Sequence, residues 1–198
     1  MNEDRDRMKK IIVGITGATG TIYGIRVLEL LRESKQAETH LLITETGEEI
    51  IEYETGYTAE DVKKLADQTY DIDDLGATIA SGTFPVDAMV VVPCTVKTLS
   101  GITHSFNANL LIRTADVVLK ERKQLVLCIR ESPLHLGHIS LMLDVTRMGA
   151  IIMPLNPVFY TKPKSVDDIV EQMAARILDV MGITTSRLRR WEGLQDRN

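Results

Sequence analysis

The sequence predicts an α/β fold of three layers, a parallel sheet with helices on both faces. Three observations predict it. Strand-like and helix-like segments alternate along the 198 residues. The runs KIIVGI, DAMVVV and QLVLCI are apolar on both faces, as strands buried between two helical layers must be. Glycine, threonine, proline, lysine and arginine collect just after these runs, at the edge where open parallel sheets bind ligands.

In chain order, residues 10–15 form a short β-branched run that ends in glycines. Residues 21–33 follow with Ile22, Ile25, Leu28 and Leu31 at helical spacing. Residues 38–44 (ETHLLIT) read as a second strand, followed by two acidic helices over 45–53 and 59–68, the second capped by Thr58. Residues 87–92 are a continuous apolar strand ended by Pro93, and 96–104 and 107–121 are helical. A strand over 124–129, a helix over 134–147 and a strand over 150–154 come next. The last helix spans 165–181, with Ser165 as its N-cap and Asp167 and Asp168 in its first turn.

A chain of 198 residues suits a single domain, with a charged amino-terminal tail (1–8) and a polar carboxyl-terminal tail (187–198) that is either loose or packed on a neighbouring subunit. Hydrophobic residues at 44% and charged residues at 26% exclude a disordered chain. Aromatics at 5% are too few for an extended stacking surface, and a net charge of −5 leaves no basic footprint for nucleic acid. Cys94 and Cys128 sit inside apolar runs, as small hydrophobes in a reducing cytoplasm do. The amino terminus lacks the apolar core of a signal peptide, and no apolar run approaches the ~18 residues of a membrane span. The expectation is a cytoplasmic protein.

Several strand ends carry candidate chemistry. Gly14-Ile15-Thr16-Gly17-Ala18-Thr19-Gly20 leaves the first strand and opens a helix; it is either an anion-binding loop at a helix N-terminus or a tight structural turn. It matches neither the GxGxxG nor the Walker pattern. Pro93-Cys94-Thr95-Val96-Lys97-Thr98 suits a phosphate or a flavin edge, or is a plain N-cap with a solvated lysine. Arg113, Asp116 and Lys120 share one helix face and read either as an ion-pair ladder or as part of an anion site. Arg130-Glu131-Ser132-Pro133 places a guanidinium fork at a strand end. Tyr160 follows the last strand, and Arg176 lies on the final helix. His135 and His138 lack a third ligand and read as ordinary helix histidines rather than a zinc site.

The strings GITGATGTIYG (14–24), ASGTFPVDAMVVVPCTVKTLSGI (80–102), LLIRTADVVLKER (110–122), LVLCIRESPL (125–134) and NPVFYTKPKSVDDIV (156–170) carry a resemblance. In them, and over roughly 9–193, the chain resembles the UbiX-type flavin prenyltransferases, a branch of the homo-oligomeric flavin-containing Cys decarboxylase superfamily. The resemblance implies a Rossmann-like, specifically flavodoxin-like, subunit assembled as a dodecamer of trimers, with sites between subunits. It implies binding of reduced FMN and of dimethylallyl phosphate. In the family reaction the dimethylallyl group joins N5 and C6 of the flavin, phosphate leaves, and no metal takes part. The prenylated FMN then serves a UbiD-type decarboxylase.

Residue by residue, Gly17, Ala18 and Thr19 match the family's first FMN-contacting loop, and Thr44 matches the hydroxyl residue ending strand two. Thr95, Val96, Lys97 and Thr98 match the loop under the flavin, and Arg130 matches its arginine. Glu54 matches the active-site glutamate, and Glu131 another acidic residue near that site. Arg113, Lys120, Tyr160 and Arg176 match positions around the prenyl phosphate. Thr19 stands where serine is commonest in the family, and Leu75 lies near a position that is tryptophan in some members. Two other readings go with the resemblance. One is an FMN carrier or subunit of an aromatic-acid decarboxylase. The other is FMN-dependent decarboxylation of a cysteine-containing peptide, whose enzymes carry a histidine after the first strand and a Pro-x-x-x-Asn-Thr motif, both missing from this chain.

Overall fold

A computed structural model describes residues 7–193, so residues 1–6 and 194–198 of the expected tails lie outside the described residues. Six parallel strands form one sheet: β1 (Lys9–Ile15), β2 (Ala37–Ile43), β3 (Gln68–Thr69), β4 (Ala88–Cys94), β5 (Gln124–Ile129) and β6 (Ile151–Ile152). Their order is β3-β2-β1-β4-β5-β6, with Val13 in register with Leu41 on one side and Val90 on the other. Apart from the two-residue edge strand β3, this is the flavodoxin-like arrangement of a doubly wound sheet. Among the described residues seven α-helices cover the sheet, the first six lying between strands and the last following β6: α1 (Thr21–Ser34), α2 (Glu45–Glu54), α3 (Ala59–Lys63), α4 (Val96–Thr103), α5 (Leu110–Lys120), α6 (Leu136–Met148) and α7 (Val166–Val180).

The alternation of side chains along each strand divides the core into two. Ile11, Val13, Val90 and Val126 point to one face and pack against Leu28 and Leu31 of α1 and Ile177 of α7. Ile12, Met89, Val91 and Leu127 point to the other and pack against Leu99 of α4 and Leu111, Ala115 and Val118 of α5. Both cysteines are fully buried in these layers, and burial pushes both thiols far above their ordinary pKa, so neither is a nucleophile at neutral pH. Of α6 only Val145 is fully buried, with Leu141, Met142 and Met148 partly buried against the same core; Leu136, Ile139 and Leu143 on its outer side are exposed.

Three local expectations change. The helix expected over 59–68 stops at Lys63. The Asp67 carboxylate accepts hydrogen bonds from Thr39 N–H (2.7 Å) and Thr39 Oγ1 (2.9 Å), which draws the polar pair Gln68–Thr69 into the sheet beside β2. The strand expected over 150–154 is reduced to Ile151–Ile152, because Pro154 has no N–H to donate. Over its described part the carboxyl-terminal tail is held by its own chain: Gln172 of α7 bonds both the N–H (3.1 Å) and the carbonyl (2.9 Å) of Arg189.

Candidate functional site

The chain runs outward from β1 to β2 and then crosses back to β4 on the other side of β1, so the order reverses between β1 and β4. A crevice opens there beyond the strand ends, as it must when neighbouring connections diverge to opposite faces. A cavity of about 450 Å³ fills it, lined by residues following β1 (Thr16, Gly17), β2 (Thr44, Thr46) and β4 (Thr95, Lys97, Thr98) and by the start of α5 (Asn109, Ile112).

Backbone geometry builds this cavity. Thr44, Thr95 and Asn109 are the N-caps of α2, α4 and α5, their side-chain oxygens accepting from the N–H groups of Gly47 (3.1 Å), Thr98 (3.1 Å) and Ile112 (3.0 Å). Three helix N-termini thus meet at one opening, each bringing partial positive charge and first-turn N–H groups. The cap uses the hydroxyl oxygen of Thr44 as acceptor and leaves its O–H to donate. Thr95 donates in turn to Thr98 Oγ1 (3.0 Å), which hands the donor role to the Thr98 hydroxyl. The exposed Lys97 ammonium adds a full positive charge at the rim.

Thr16 holds the two central loops together. Its hydroxyl donates to Pro93 O (2.8 Å) and accepts from Thr95 N–H (3.0 Å). Gly17 allows α2 to approach: a Cβ there would collide with the Thr46 side chain. Gly20 adopts φ +93°, a left-handed conformation that lets the loop turn into α1 without a side-chain cap. Ala18 and Thr19 lie between them, partly buried. The exposed Glu54 carboxylate, at the end of α2, accepts from Gly20 N–H (2.8 Å), which brings a titratable oxygen against the loop 34 residues earlier in the chain.

Other expected residues lie apart from this cavity. Arg130 follows β5, with its N–H on Cys94 O (3.3 Å) and its side chain exposed; Glu131 beside it accepts from Ser132 N–H (3.0 Å). Tyr160 and Arg176 line a second cavity of about 210 Å³ beside α7, with Pro154, Val158 and Gln172. On α5, Arg113 pairs with Asp116 (3.3 Å), while Lys120 pairs with Glu121 rather than completing the ladder. At a rise of about 1.5 Å per residue, Lys120 lies roughly 12 Å along α5 from Ile112, towards the opposite edge of the sheet. One chain therefore gathers Gly17, Thr44, Thr95, Lys97 and Thr98 in one cavity and Tyr160 with Arg176 in another, and leaves Lys120 outside the lining of both.

A third cavity, of about 500 Å³, shares Glu45, Ile72 and Asp73 with the first and adds Glu48, Lys63 and Tyr70. Hydrogen bonds to Glu60 and Glu48 raise the Lys63 pKa, so its charge is already matched and the rim stays acidic. Asn109 and Thr46 were not among the expected site residues. Asn109 had a local signal, a capping asparagine before the run LLIRTADVVL; Thr46 had none, because its role depends on how closely α2 approaches Gly17.

Comparison with known proteins gives a consistent result. The Flavoprotein family profile matches residues 1–178. The flavin prenyltransferase UbiX of Escherichia coli K12 is 49% identical over 188 residues, covering 94% of this chain and 100% of that protein. The crystal structure of AnUbiX in complex with FMN and dimethylallyl pyrophosphate superposes with a TM-score of 0.93 at 46% identity, covering 96% of this chain and 100% of that one. A dodecameric FMN-dependent UbiX-like decarboxylase from Escherichia coli O157:H7 gives a TM-score of 0.91 at 47% identity, covering 93% and 100%.

Proposed function

This chain belongs to the Flavoprotein family and, within it, to the UbiX flavin prenyltransferases, and on that premise we propose that it transfers a dimethylallyl group from dimethylallyl phosphate to reduced FMN. The observation that carries this reading is the switch-point cavity. It unites Gly17, Thr44, Thr95, Lys97 and Thr98, all matched to the family's FMN contacts, under three helix N-termini.

The residues present fit FMN. The cavity falls within the roughly 300–1,000 Å³ usual for ligand sites, and its wall offers hydroxyl and backbone donors with one lysine at the rim. Gly17, Ala18, Thr19 and Thr44 bind the flavin nucleotide beside β1 and β2; Thr95, Val96, Lys97, Thr98 and Arg130 hold it beside β4 and β5. Bound reduced FMN supplies the nucleophilic N5 and C6 atoms and a π face. Breaking the allylic C–O bond leaves charge on the departing phosphate, which Arg113, Lys120, Arg176 and the Tyr160 hydroxyl stabilise without a metal. Ring closure at C6 releases a proton, and Glu54 or the departing phosphate accepts it. Glu131 sets the local charge beside Arg130.

The position of Lys120 outside both linings supports sites completed by a neighbouring copy. So does the exposed stripe Leu136, Ile139 and Leu143 on α6, an apolar face of the kind symmetric contacts cover. The assembly proposed is the dodecamer described for the Escherichia coli O157:H7 relative. The prenylated FMN passes to a UbiD-type decarboxylase.

The test is anaerobic incubation of the protein with reduced FMN and either dimethylallyl phosphate or the pyrophosphate, followed by mass spectrometry of the released flavin. The expected product is heavier than FMN by one dimethylallyl unit. Unmodified FMN from a folded, flavin-loaded protein overturns the proposal.

A further inference from the structure

Gln172 is a buried amide, 6% exposed, on a helix whose other inward residues are almost all apolar. Burying a primary amide is unfavourable unless its hydrogen bonds are made, and here they go to the backbone of one residue outside the helix, Arg189. Nε2 donates to Arg189 O (2.9 Å) and Oε1 accepts from Arg189 N–H (3.1 Å), the pairing a neighbouring strand would make. The same Nε2 lies 3.5 Å from the Tyr160 hydroxyl, which itself donates to Arg189 O (3.4 Å).

The segment fixed in this way is tied to the second cavity at two further points. Trp191 meets the Tyr160 ring edge-on, with centroids 5.6 Å apart and planes at 70°. Arg190 pairs with Asp179, the carboxylate that also holds Arg176. Gln172 and Arg176 are one helical turn apart on α7 and line the same cavity as Tyr160. Through the backbone of one residue, Gln172 therefore restrains a phenol and a guanidinium that face the same space.

We infer that Gln172 is a positioning residue for anion binding in the cavity beside α7: it fixes residues 189–191, and these hold Tyr160 and Arg176 in place to receive a phosphate group. This rests on the reading that the cavity takes the phosphate of the prenyl donor. Gln172 itself is not a catalytic residue: its Nε2 donates to Arg189 O and to the Tyr160 hydroxyl, and its Oε1 accepts from Arg189 N–H.

Trp191 is the only tryptophan in the chain, so its emission reports directly on the restrained segment. In the full-length protein, inorganic phosphate and dimethylallyl phosphate should each change Trp191 emission saturably. Gln172→Leu should abolish the saturable response to both and raise KM for dimethylallyl phosphate about tenfold, equivalent to about 1.4 kcal/mol. Its kcat should stay within about twofold and its FMN affinity should not change. Gln172→Glu keeps an acceptor for Arg189 N–H but loses the donor, and should fall between.

Trp191→Ala changes an exposed residue and tests the same chain of contacts with little risk to folding; it should raise KM in the same direction. The double variant with Gln172→Leu should be no worse than Gln172→Leu alone. An unchanged KM with an unchanged phosphate response in Gln172→Leu overturns the inference. So does a loss confined to kcat or to FMN affinity. If the wild-type protein forms no prenylated flavin but its phosphate response is lost in Gln172→Leu, the enzymatic reading fails and the positioning role stands.

Discussion

The cavity at the switch point and the cavity beside α7 are made from different materials. The first is lined by short hydroxyl side chains at helix N-termini, and the Thr16 bonds to Pro93 and Thr95 lock its two central loops together. Its binding groups are backbone dipoles and capping hydroxyls set in place by the fold itself. The second presents a phenol and a guanidinium, both substantially exposed, steadied by Asp179 and by a tail segment that Gln172 clamps. Backbone-built sites are preorganised as soon as the sheet forms. Side-chain-built sites depend on neighbours, and in the proposed assembly Lys120 of another copy is one of them.

The contrast is tested most severely where the two kinds of group meet, at Glu54. Its carboxylate accepts from Gly20 N–H in the loop after β1, and in the proposed reaction it takes the proton released at the flavin while the phosphate groups act beside α7. Glu54→Gln keeps an acceptor for that N–H and removes the charge. Prenylation kcat should fall by at least about 100-fold, with FMN affinity unchanged. Initial rates and a flavin fluorescence titration separate the two, and an unaltered kcat would remove Glu54 from the mechanism.

Gly17→Ala addresses the backbone-built cavity alone. The added Cβ collides with Thr46 Cγ2 and Cβ, so the loop or the start of α2 must move. Overpacking of this kind costs about 1–3 kcal/mol, so FMN affinity should fall by roughly ten- to 100-fold. The phosphate response of Trp191 should survive. If both are lost together, the two cavities are not independent and the contrast drawn above is wrong.

What could be read from the sequence follows the same division. The strands were legible because β-branched apolar runs need burial on two faces, and Thr95 and Ser165 were legible because capping is a local signal, whereas Thr44 came only from the resemblance. β3 was not, because Gln68 and Thr69 are polar and are drawn into the sheet by the contact between Asp67 and Thr39. The tail's polar residues left open whether it was loose or packed on a neighbouring subunit, and the amide that fixes it lies on α7. Glu54 came from the resemblance, and its meeting with Gly20 was not read at all, since no periodicity joins residues 34 positions apart. Contacts local in sequence were readable; contacts made by packing were not.

A smaller effect concerns the wall behind the acidic cavity. His40 is 2% exposed, with Nδ1 2.9 Å from the Tyr70 hydroxyl and the ring edge-on to Phe84; Glu38, Lys10 and Asp67 are the charged groups around it. Desolvation holds its pKa below the ordinary value, with the Glu38 carboxylate opposing that shift. The folded state therefore keeps His40 neutral at pH values where the unfolded chain protonates it. The stability this contributes is present above about pH 6.5 and is lost as pH falls, at no more than about 1.4 kcal/mol per pH unit. Thermal unfolding of the wild type should weaken more steeply below neutral pH than that of His40→Gln, and parallel profiles would show that another group dominates.

The smallest effect expected is at the start of α7, and it asks how far the second cavity depends on its scaffold. Ser165 Oγ accepts from Asp168 N–H (3.1 Å), while the Asp168 carboxylate accepts from Ser165 N–H (3.2 Å) and Lys164 N–H (2.7 Å), a reciprocal capping box. Ser165→Ala removes one half of it and should cost about 1 kcal/mol, a shift of roughly 2–4 °C in Tm. Ile169, Gln172 and Arg176 all lie further along the same helix. If fraying stays in the first turn, the KM for dimethylallyl phosphate should not change although Tm drops. A KM that rises with the lost cap would mean that the whole of α7, rather than Gln172 and the tail it clamps, sets the position of Tyr160 and Arg176.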